Sequence, residues 1–191
     1  MVGAVAALTS LATSILALLC ERPMHPYEMY RLMIDRFEDR VVKVRPGSLY
    51  HTVDRLAAHE LVEAIGTDRE GARPERTTYR ITAAGRVAMQ EWIRGVLAEP
   101  VNEFPRFPVA LGEAHNLPRA EAIELLTARI RHIEAELAEV EPALARGAAK
   151  TAEAHLLDGY FLVEMSRAEL CWLRRLVARL ETKELGWPLD D

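Results

Sequence analysis

The hydrophobic positions of the first half of the chain predict three helices, a β-hairpin and a fourth helix. Apolar residues recur at helical spacing in three early segments, and Pro23 and Pro26 separate the first two. The period then changes to two in LVEAIG and RTTYRIT, which predicts two strands joined by the charged loop TDREGARPE. The helices are predicted over 8–20, 27–39 and 46–59, and from the N-cap Thr82 to residue 98.

The second half of the chain is predicted to be helical after a linker. Residues 99–118 contain four prolines, which predicts a linker with one short helix over 109–115. Apolar residues then follow in steps of three and four, a heptad seam that predicts packing against another helix, within or between protomers. Pro142 lies in its last turn, where the helix is expected to kink or end. The final helix, 152–181, is apolar on more than one side, which predicts cover from two directions.

The third predicted helix has two distinct faces. At about 100° per residue, Leu49, Val53 and Leu56 share the inner face, whereas His51 and Arg55 lie nearly opposite. Three helices followed by a hairpin is the order of the winged helix-turn-helix, in which the third helix enters the major groove and the hairpin loop meets the DNA backbone. The predicted DNA-binding residues are Lys43, Arg45, Ser48, Tyr50, His51, Arg55, Arg69, Arg73 and Arg76.

A solvated helix face is the alternative for this outer side. For any single exposed histidine or arginine, solvation is the more common role. Here, however, a basic segment precedes the helix and an arginine-bearing loop follows it. Arginine bonds guanine bidentately, and amides at a helix start bind phosphate. Because these features occur together, we favour DNA binding.

Several motifs carry a family resemblance. PMHPYEM, PGSLYHTVDRLAAHELVEA, the glycine-containing loop and RTTYRITAAGR occur in that order. Through most of residues 8–95 the chain resembles the PadR family of bacterial transcriptional regulators. The family's Gly-Ser/Thr-Leu/Ile-Tyr pattern, which opens the recognition helix, matches residues 47–50. Its pattern leaving the wing matches residues 79–82 and Gly85.

Two positions depart from the family pattern. Pro26 stands where the family usually has glycine, and proline suits the first turn of a helix. Thr77 and Thr78 stand where the family usually has Lys-Tyr. This second difference removes a cation from the outgoing strand of the wing, so we expect a weaker phosphate contact there.

The resemblance also implies a homodimer, which agrees with the heptad seam. The predicted architecture is mainly α: a winged helix-turn-helix domain (1–98), a linker (99–118) and a coiled-coil-like helical dimerisation domain (119–191). The expected partners are double-stranded DNA with an inverted repeat and a second copy of the chain. The predicted dimerisation residues are Ile123, Leu126, Ile130, Ile133, Leu137, Val140, Phe161 and Trp172.

The net charge is compatible with a local DNA-binding face. The chain of 191 residues has a formal charge of -5, which by itself argues against nucleic-acid binding. Residues 1–98, however, contain 13 Lys and Arg against 12 Asp and Glu, whereas residues 99–191 contain 11 against 17. The acidity therefore lies in the second half, and a binding face depends on local charge.

Other chemistry finds little support in the sequence. Cys20 and Cys171 lie far apart without CxxC spacing, and the histidines form no ligand spacing, so neither a metal nor another cofactor is expected. GxSxG, P-loop and GxGxxG motifs are absent, which argues against an enzyme. The apolar N-terminal segment has no Lys or Arg before Glu21 and has helical amphipathicity. A cytoplasmic protein without a membrane span is therefore expected.

The aromatic residues suggest an effector site. Trp92, Phe107 and Trp172 are candidates for binding an aromatic or cationic small molecule between the domains, and ordinary core and interface packing is the alternative. The predicted function is a homodimeric repressor released by such an effector. Two rival hypotheses are a helical protein-protein adaptor without DNA binding, and a small hydrolase or metalloenzyme.

Overall fold

The structure, a computed structural model, describes residues 8–68 and 76–190, without the side chains of residues 67, 68, 76 and 190. The chain divides into two compact units, Met1–Asn102 and Glu103–Asp191. The first contains α1 (Ser10–Glu21), α2 (Pro26–Asp35), α3 (Pro46–Ala58), β1 (Val62–Asp68), β2 (Arg76–Ile81) and α4 (Ala83–Ala98). The second contains α5 (Arg106–Gly112), α6 (Arg119–Ala148) and α7 (Leu157–Glu181). Four 3-10 turns are Glu38–Arg40, Ala114–Asn116, Glu153–His155 and Pro188–Asp190.

The core of the first unit lies between α1, α2, α3 and the hairpin. The helix starts follow from their capping residues: Thr9 Oγ1 accepts the Ala12 N–H at 3.2 Å, and Pro26 occupies the first turn of α2. Behind these caps, side chains from all three helices are fully buried. They include Ile15, Leu16, Met29, Met33, Leu49 and Val53. The predicted apolar faces of α1 and α3 are confirmed.

The hairpin has the predicted position and an additional pairing partner. β1 and β2 are antiparallel, with Val62 opposite Ile81, and a bulge falls between Ala64 and Gly66. Met24, in the segment between α1 and α2, exchanges two backbone hydrogen bonds of 3.0 Å with Tyr79 of β2. The hairpin is therefore tied to the helices by main-chain bonds.

The second helix ends earlier than the hydrophobic pattern predicts. α2 stops at Asp35, and Phe37 has a left-handed backbone with φ of 61° and an exposed side chain. Arg36, the C-cap residue, donates two hydrogen bonds to the Glu21 carboxylate at the end of α1. We attribute the early end to this tertiary ion pair, because it fixes the C-terminus of α2 where the chain turns toward α3.

In the second unit, α6 and α7 form an antiparallel pair. The seam residues Leu126, Ile130, Ile133 and Leu137 are buried against Val163, Leu170, Leu173, Val177 and Leu180 of α7, and Ile123 and Val140 pack at the edges of this cluster. The open choice between packing within or between protomers is thus decided: the seam is occupied within the chain. The apolar residues that α7 still exposes lie on its other side.

Three further boundaries differ from the predicted ones. α7 starts at Leu157, later than the predicted residue 152, because a separate 3-10 turn, Glu153–His155, precedes it. α6 continues through Pro142 to Ala148, because Val140 and Leu144 on either side of the proline still pack on the α7 cluster. The short helix is α5, which starts at Arg106, earlier than predicted. Pro108 does not interrupt it, because a residue in the first turn needs no intrahelical N–H bond. Among the described residues, no helix is both long and apolar enough to cross a lipid bilayer.

Candidate nucleic-acid interface

The outward face of α3 carries the predicted reading residues. Leu49, Thr52, Val53 and Leu56 are buried, and the Thr52 hydroxyl donates to the Ser48 carbonyl at 2.7 Å. The opposite side is exposed and presents Ser48, Tyr50, His51 and Arg55. α3 therefore holds two imidazole nitrogens, two hydroxyls and a guanidinium toward solvent on a rigid support, as major-groove readout requires.

The cations of this face have no ion-pair partner among the described residues. Within the described residues, Lys43, Arg45 and Arg55 are exposed and form no salt bridge. Other arginines of the same unit are paired: Arg22 with Glu28, Arg36 with Glu21 and Arg80 with Glu63. Within the part of the chain that the structure describes, the cations of α3 and of the segment that leads into it are thus not held by a bonded carboxylate.

The start of α3 is open to an anion. Its N-cap residue, Arg45, makes no side-chain capping bond, and Pro46 occupies the first turn. A Cβ added at the exposed Gly47 would meet nothing within 4 Å. The first-turn amides are thus accessible, and the helix dipole favours negative charge there.

His25 belongs to this surface although the sequence did not identify it. Its Nδ1 accepts the Tyr27 N–H at 3.1 Å, which makes it the N-cap of α2. Its ring lies edge-on to the ring of Tyr50 with centroids 6.1 Å apart. The only sequence signal was the position of His25 in PMHPYEM, where Pro26 marks a helix start. The N-terminus of α2 therefore borders the outward face of α3.

The wing is described only in part. Its strands place Arg80 opposite Glu63, and these two side chains form an ion pair. Burial raises the pKa of Tyr79, with a smaller contribution from the negative charge of Asp54. Arg69 and Arg73 of the loop lie outside the described residues, as does the side chain of Arg76. The predicted contacts of these three arginines remain a prediction.

The motif that leaves the wing has a structural role. Thr82 caps α4 by accepting the Gly85 N–H at 3.0 Å, and its hydroxyl donates to the Glu60 carbonyl at 2.8 Å. A Cβ on Gly85 would lie 2.1 Å from the Leu61 carbonyl oxygen. Glycine is thus required where the first turn of α4 packs against Leu61, in the short connection between α3 and β1.

The predicted effector residues lie in different units. Trp92 is half-buried in the first unit, whereas Phe107 is half-buried and Trp172 exposed in the second. The Arg129 guanidinium stacks 3.6 Å from the centre of the Phe107 ring and bonds Glu169 at 2.6 Å. No group of three or more His, Cys, Asp or Glu that would hold a metal occurs within residues 8–68 and 76–190.

Comparisons with known proteins agree with this geometry. Residues 15–91 match the model of the transcriptional regulator PadR-like family, which confirms the resemblance. A search of curated proteins gave no match. The structure of Bacillus subtilis PadR in complex with operator DNA is 18% identical, with a TM-score of 0.77 over 91% of this chain and 98% of that chain.

Two other solved structures are similar to this chain over about nine-tenths of its length. Bacillus subtilis PadR in complex with p-coumaric acid is 18% identical, with a TM-score of 0.71 over 90% of this chain and 98% of that chain. The Vibrio cholerae virulence activator AphA is also 18% identical, with a TM-score of 0.69 over 91% of this chain and 99% of that chain. These likenesses show a common fold: a winged-helix unit followed by a helical unit.

Proposed function

We propose that this PadR-like, winged-helix transcriptional regulator acts as a homodimeric repressor that binds an inverted repeat in double-stranded DNA. The observation that carries the proposal is the outward face of α3, where Arg55 and the preceding Lys43 and Arg45 lack carboxylate partners among the described residues. The similar Bacillus subtilis PadR was solved with operator DNA. Members of the PadR-like family of transcriptional regulators are generally not enzymes, and this disfavours the hydrolase alternative.

Each part of the face has a distinct task in this proposal. Arg55 and His51 read base edges, since arginine donates two parallel hydrogen bonds to guanine. Ser48 and the amides of Gly47 and Ser48 hold a phosphate at the start of α3. Two protomers place their third helices in successive major grooves, so half-sites about 34–36 Å apart are expected. Occupancy of a promoter by the dimer excludes polymerase.

The homodimer is supported by the exposed side of α7. Leu157, Phe161, Met165 and Trp172 are 60%, 64%, 55% and 41% exposed, and they lie on the side opposite the α6 cluster. Phe161 and Trp172 are therefore the members of the predicted dimerisation set that remain available to a second copy. The other six members of the set belong to α6 and pack against α7 within the chain. In this proposal they hold α7 in position for the interface.

The effector part of the proposal is an aromatic or cationic small molecule. It is supported by the half-buried Phe107, because the face of its ring already stacks against a cation, the Arg129 guanidinium. The similar Bacillus subtilis PadR was solved with p-coumaric acid, an aromatic compound. An effector releases DNA only if it binds the released state more tightly than the DNA-bound state. Tryptophan quenching in a panel of aromatic acids and cations, with parallel DNA binding, tests this; quenching without loss of DNA binding contradicts it.

The most informative experiment selects genomic fragments with the purified protein and sequences them. Arg55→Ala is then expected to cost about 1–3 kcal/mol in binding the selected fragment and to relax base preference at one position per half-site. Arg73→Ala is expected to weaken all sequences alike. Arg94→Ala, an exposed arginine near the end of α4, is the control. Unchanged affinity and preference in Arg55→Ala contradict the assignment of α3 as the reading helix.

A helical adaptor without DNA binding is the alternative function. It predicts that no genomic fragment is enriched and that a protein partner is recovered instead. A reporter placed behind the selected fragment determines the sign of regulation. Repression predicts that expression rises when the regulator is deleted, and a fall on deletion contradicts the repressor assignment.

A further inference from the structure

The outer face of α2 carries a tyrosine and an arginine one turn apart. Tyr27 is 52% exposed and Arg31 is exposed, whereas Met29 and Met33 on the inner face are completely buried. Residues four apart on a helix are neighbours on its surface. The two polar side chains therefore form one outward pair on a helix whose other side is fixed in the core.

Arg31 differs from the other arginines that flank α2. Arg22 and Arg36 are tied to Glu28 and Glu21 in ion pairs that join α2 to the end of α1. Arg31 forms no salt bridge within the described part of the chain. A hydrogen bond with the Tyr27 side chain, followed by the nearby charge of Asp35, raises the pKa of Arg31. Arg31 is thus an exposed cation next to Tyr27, without a bonded carboxylate among the described residues.

The position of the pair relative to α3 follows from His25. His25 precedes Tyr27 by two residues and contacts the ring of Tyr50, which is 41% exposed on α3. The surface that begins with Ser48 and Tyr50 therefore continues onto the start of α2. In a helix-turn-helix, the first of the two helices crosses the DNA backbone while the second lies in the groove.

We propose that Tyr27 and Arg31 form a phosphate-binding pair that holds the DNA strand flanking the groove entered by α3. Both side chains donate hydrogen bonds, and guanidinium and hydroxyl donors are the groups that most often bind phosphate oxygens. Because phosphates are the same at every step, the pair positions the regulator without reading sequence. This inference rests on the proposed DNA-binding function and extends its contact surface from α3 to α2.

The test measures DNA affinity between 50 and 200 mM salt with the full chain. The probes are the genomic fragment selected by the wild-type protein and an unselected duplex of the same length. The variants are Arg31→Gln, Arg31→Lys and Tyr27→Phe, with Arg94→Gln as a control that removes the same charge from α4. Thermal unfolding of each variant is followed separately, since both residues lie outside the core.

The expected signature is electrostatic and independent of sequence. Loss of one phosphate contact per protomer lowers the magnitude of the slope of log K against log salt by about 1.8 for a dimer. The affinity deficit of Arg31→Gln should therefore shrink about twelvefold between 50 and 200 mM salt, on both probes. Arg31→Lys should restore the wild-type slope. Tyr27→Phe should bind roughly a hundredfold more weakly, because each of the two protomers loses one hydrogen bond to a charged group, which is worth roughly tenfold.

The outcomes separate this inference from the function on which it rests. If the wild-type protein binds the selected fragment with a steep salt slope while Arg31→Gln has the wild-type slope, the phosphate pair is overturned and the function stands. The phosphate pair is likewise overturned if Arg94→Gln flattens the slope as much as Arg31→Gln. If the wild-type protein shows no salt-dependent DNA binding, the proposed function itself fails.

Discussion

Replacing Gly85 with alanine is expected to destabilise the winged-helix unit, although alanine is the better helix former. The added Cβ would lie 2.1 Å from the Leu61 carbonyl oxygen and 2.9 Å from Ile81 Cγ1. Cβ contacts shorter than 3.0 Å are essentially never seen, so the first turn of α4 must retreat by at least about 0.9 Å. The obstacle is backbone, which cannot rotate away as a side chain does.

The magnitude follows from what that displacement breaks. Overpacking a tight contact costs about 1–3 kcal/mol. The shift also stretches the capping bond from the Gly85 N–H to Thr82 Oγ1, now 3.0 Å, and loss of an N-cap costs about 1 kcal/mol. The gain in helix propensity offsets at most about 1 kcal/mol. The net loss is therefore about 1–3 kcal/mol, or a fall of about 4–24 °C in the unfolding temperature of a unit of this size.

The matched control is Gly95→Ala in the same helix. A Cβ at Gly95 would meet nothing within 4 Å, and the position is exposed. This change is expected to stabilise by up to about 1 kcal/mol, because only helix propensity changes. Urea unfolding of the full chain, followed by circular dichroism, measures both variants. Equal stability of Gly85→Ala and wild type, or equal losses in both variants, would refute the packing of α4 on Leu61.

Three further predictions address other parts of the chain. Thr13→Val should raise the free energy of unfolding by about 1 kcal/mol, because Thr13 Oγ1 is buried without a hydrogen-bond partner among the described residues; chemical denaturation that shows a loss instead contradicts this. The hydrogen bond from Arg22 lowers the pKa of Glu28, so its stabilisation is present above the ordinary carboxyl range and is lost as pH falls. Glu28→Gln should therefore cost less than about 1 kcal/mol at neutral pH and nothing at strongly acid pH, and a cost that persists in acid argues against the ion pair. Phe161→Glu should dissociate the dimer at concentrations where the wild type is dimeric, as measured by sedimentation; an intact dimer excludes this face of α7.

Local patterns were sufficient for most of the fold. Helical periodicity, prolines and capping residues predicted α1, α3 and α4, and period-two alternation predicted the hairpin. These elements depend on contacts between near neighbours. The end of α2 depends instead on an ion pair between Arg36 and Glu21, which lie 15 residues apart in the sequence. No local pattern contains that information, so the helix was predicted one turn too long.

The second unit illustrates the same limit. The heptad seam predicted a partner helix, and α7 is that partner. Periodicity identifies an apolar face but not which surface covers it, so the seam alone could not decide between α7 and a second copy. Likewise, α7 is covered on one side by α6, while Leu157, Phe161 and Met165 remain exposed in the single chain. The sequence predicted cover on both sides, and the proposed dimer supplies the second.

At the candidate site, the outward residues of α3 followed from helical phase alone. Their electrostatic setting did not, because the pairing of Arg22, Arg36 and Arg80 with carboxylates depends on the folded arrangement. The same holds for His25, which lies 25 residues before Tyr50 in the sequence and meets it only in the fold. The extension of the surface onto α2 is therefore a result of the structure.

The central claim is that the face formed by α3 and its basic approach segment binds DNA, and the salt dependence of binding tests it most directly. The measurement is the affinity of the purified protein for its selected genomic fragment across a series of salt concentrations. With about eight phosphates neutralised per dimer, log K should fall with log salt at a slope near -7. A slope near zero, or no enriched fragment at all, would contradict DNA binding by this face.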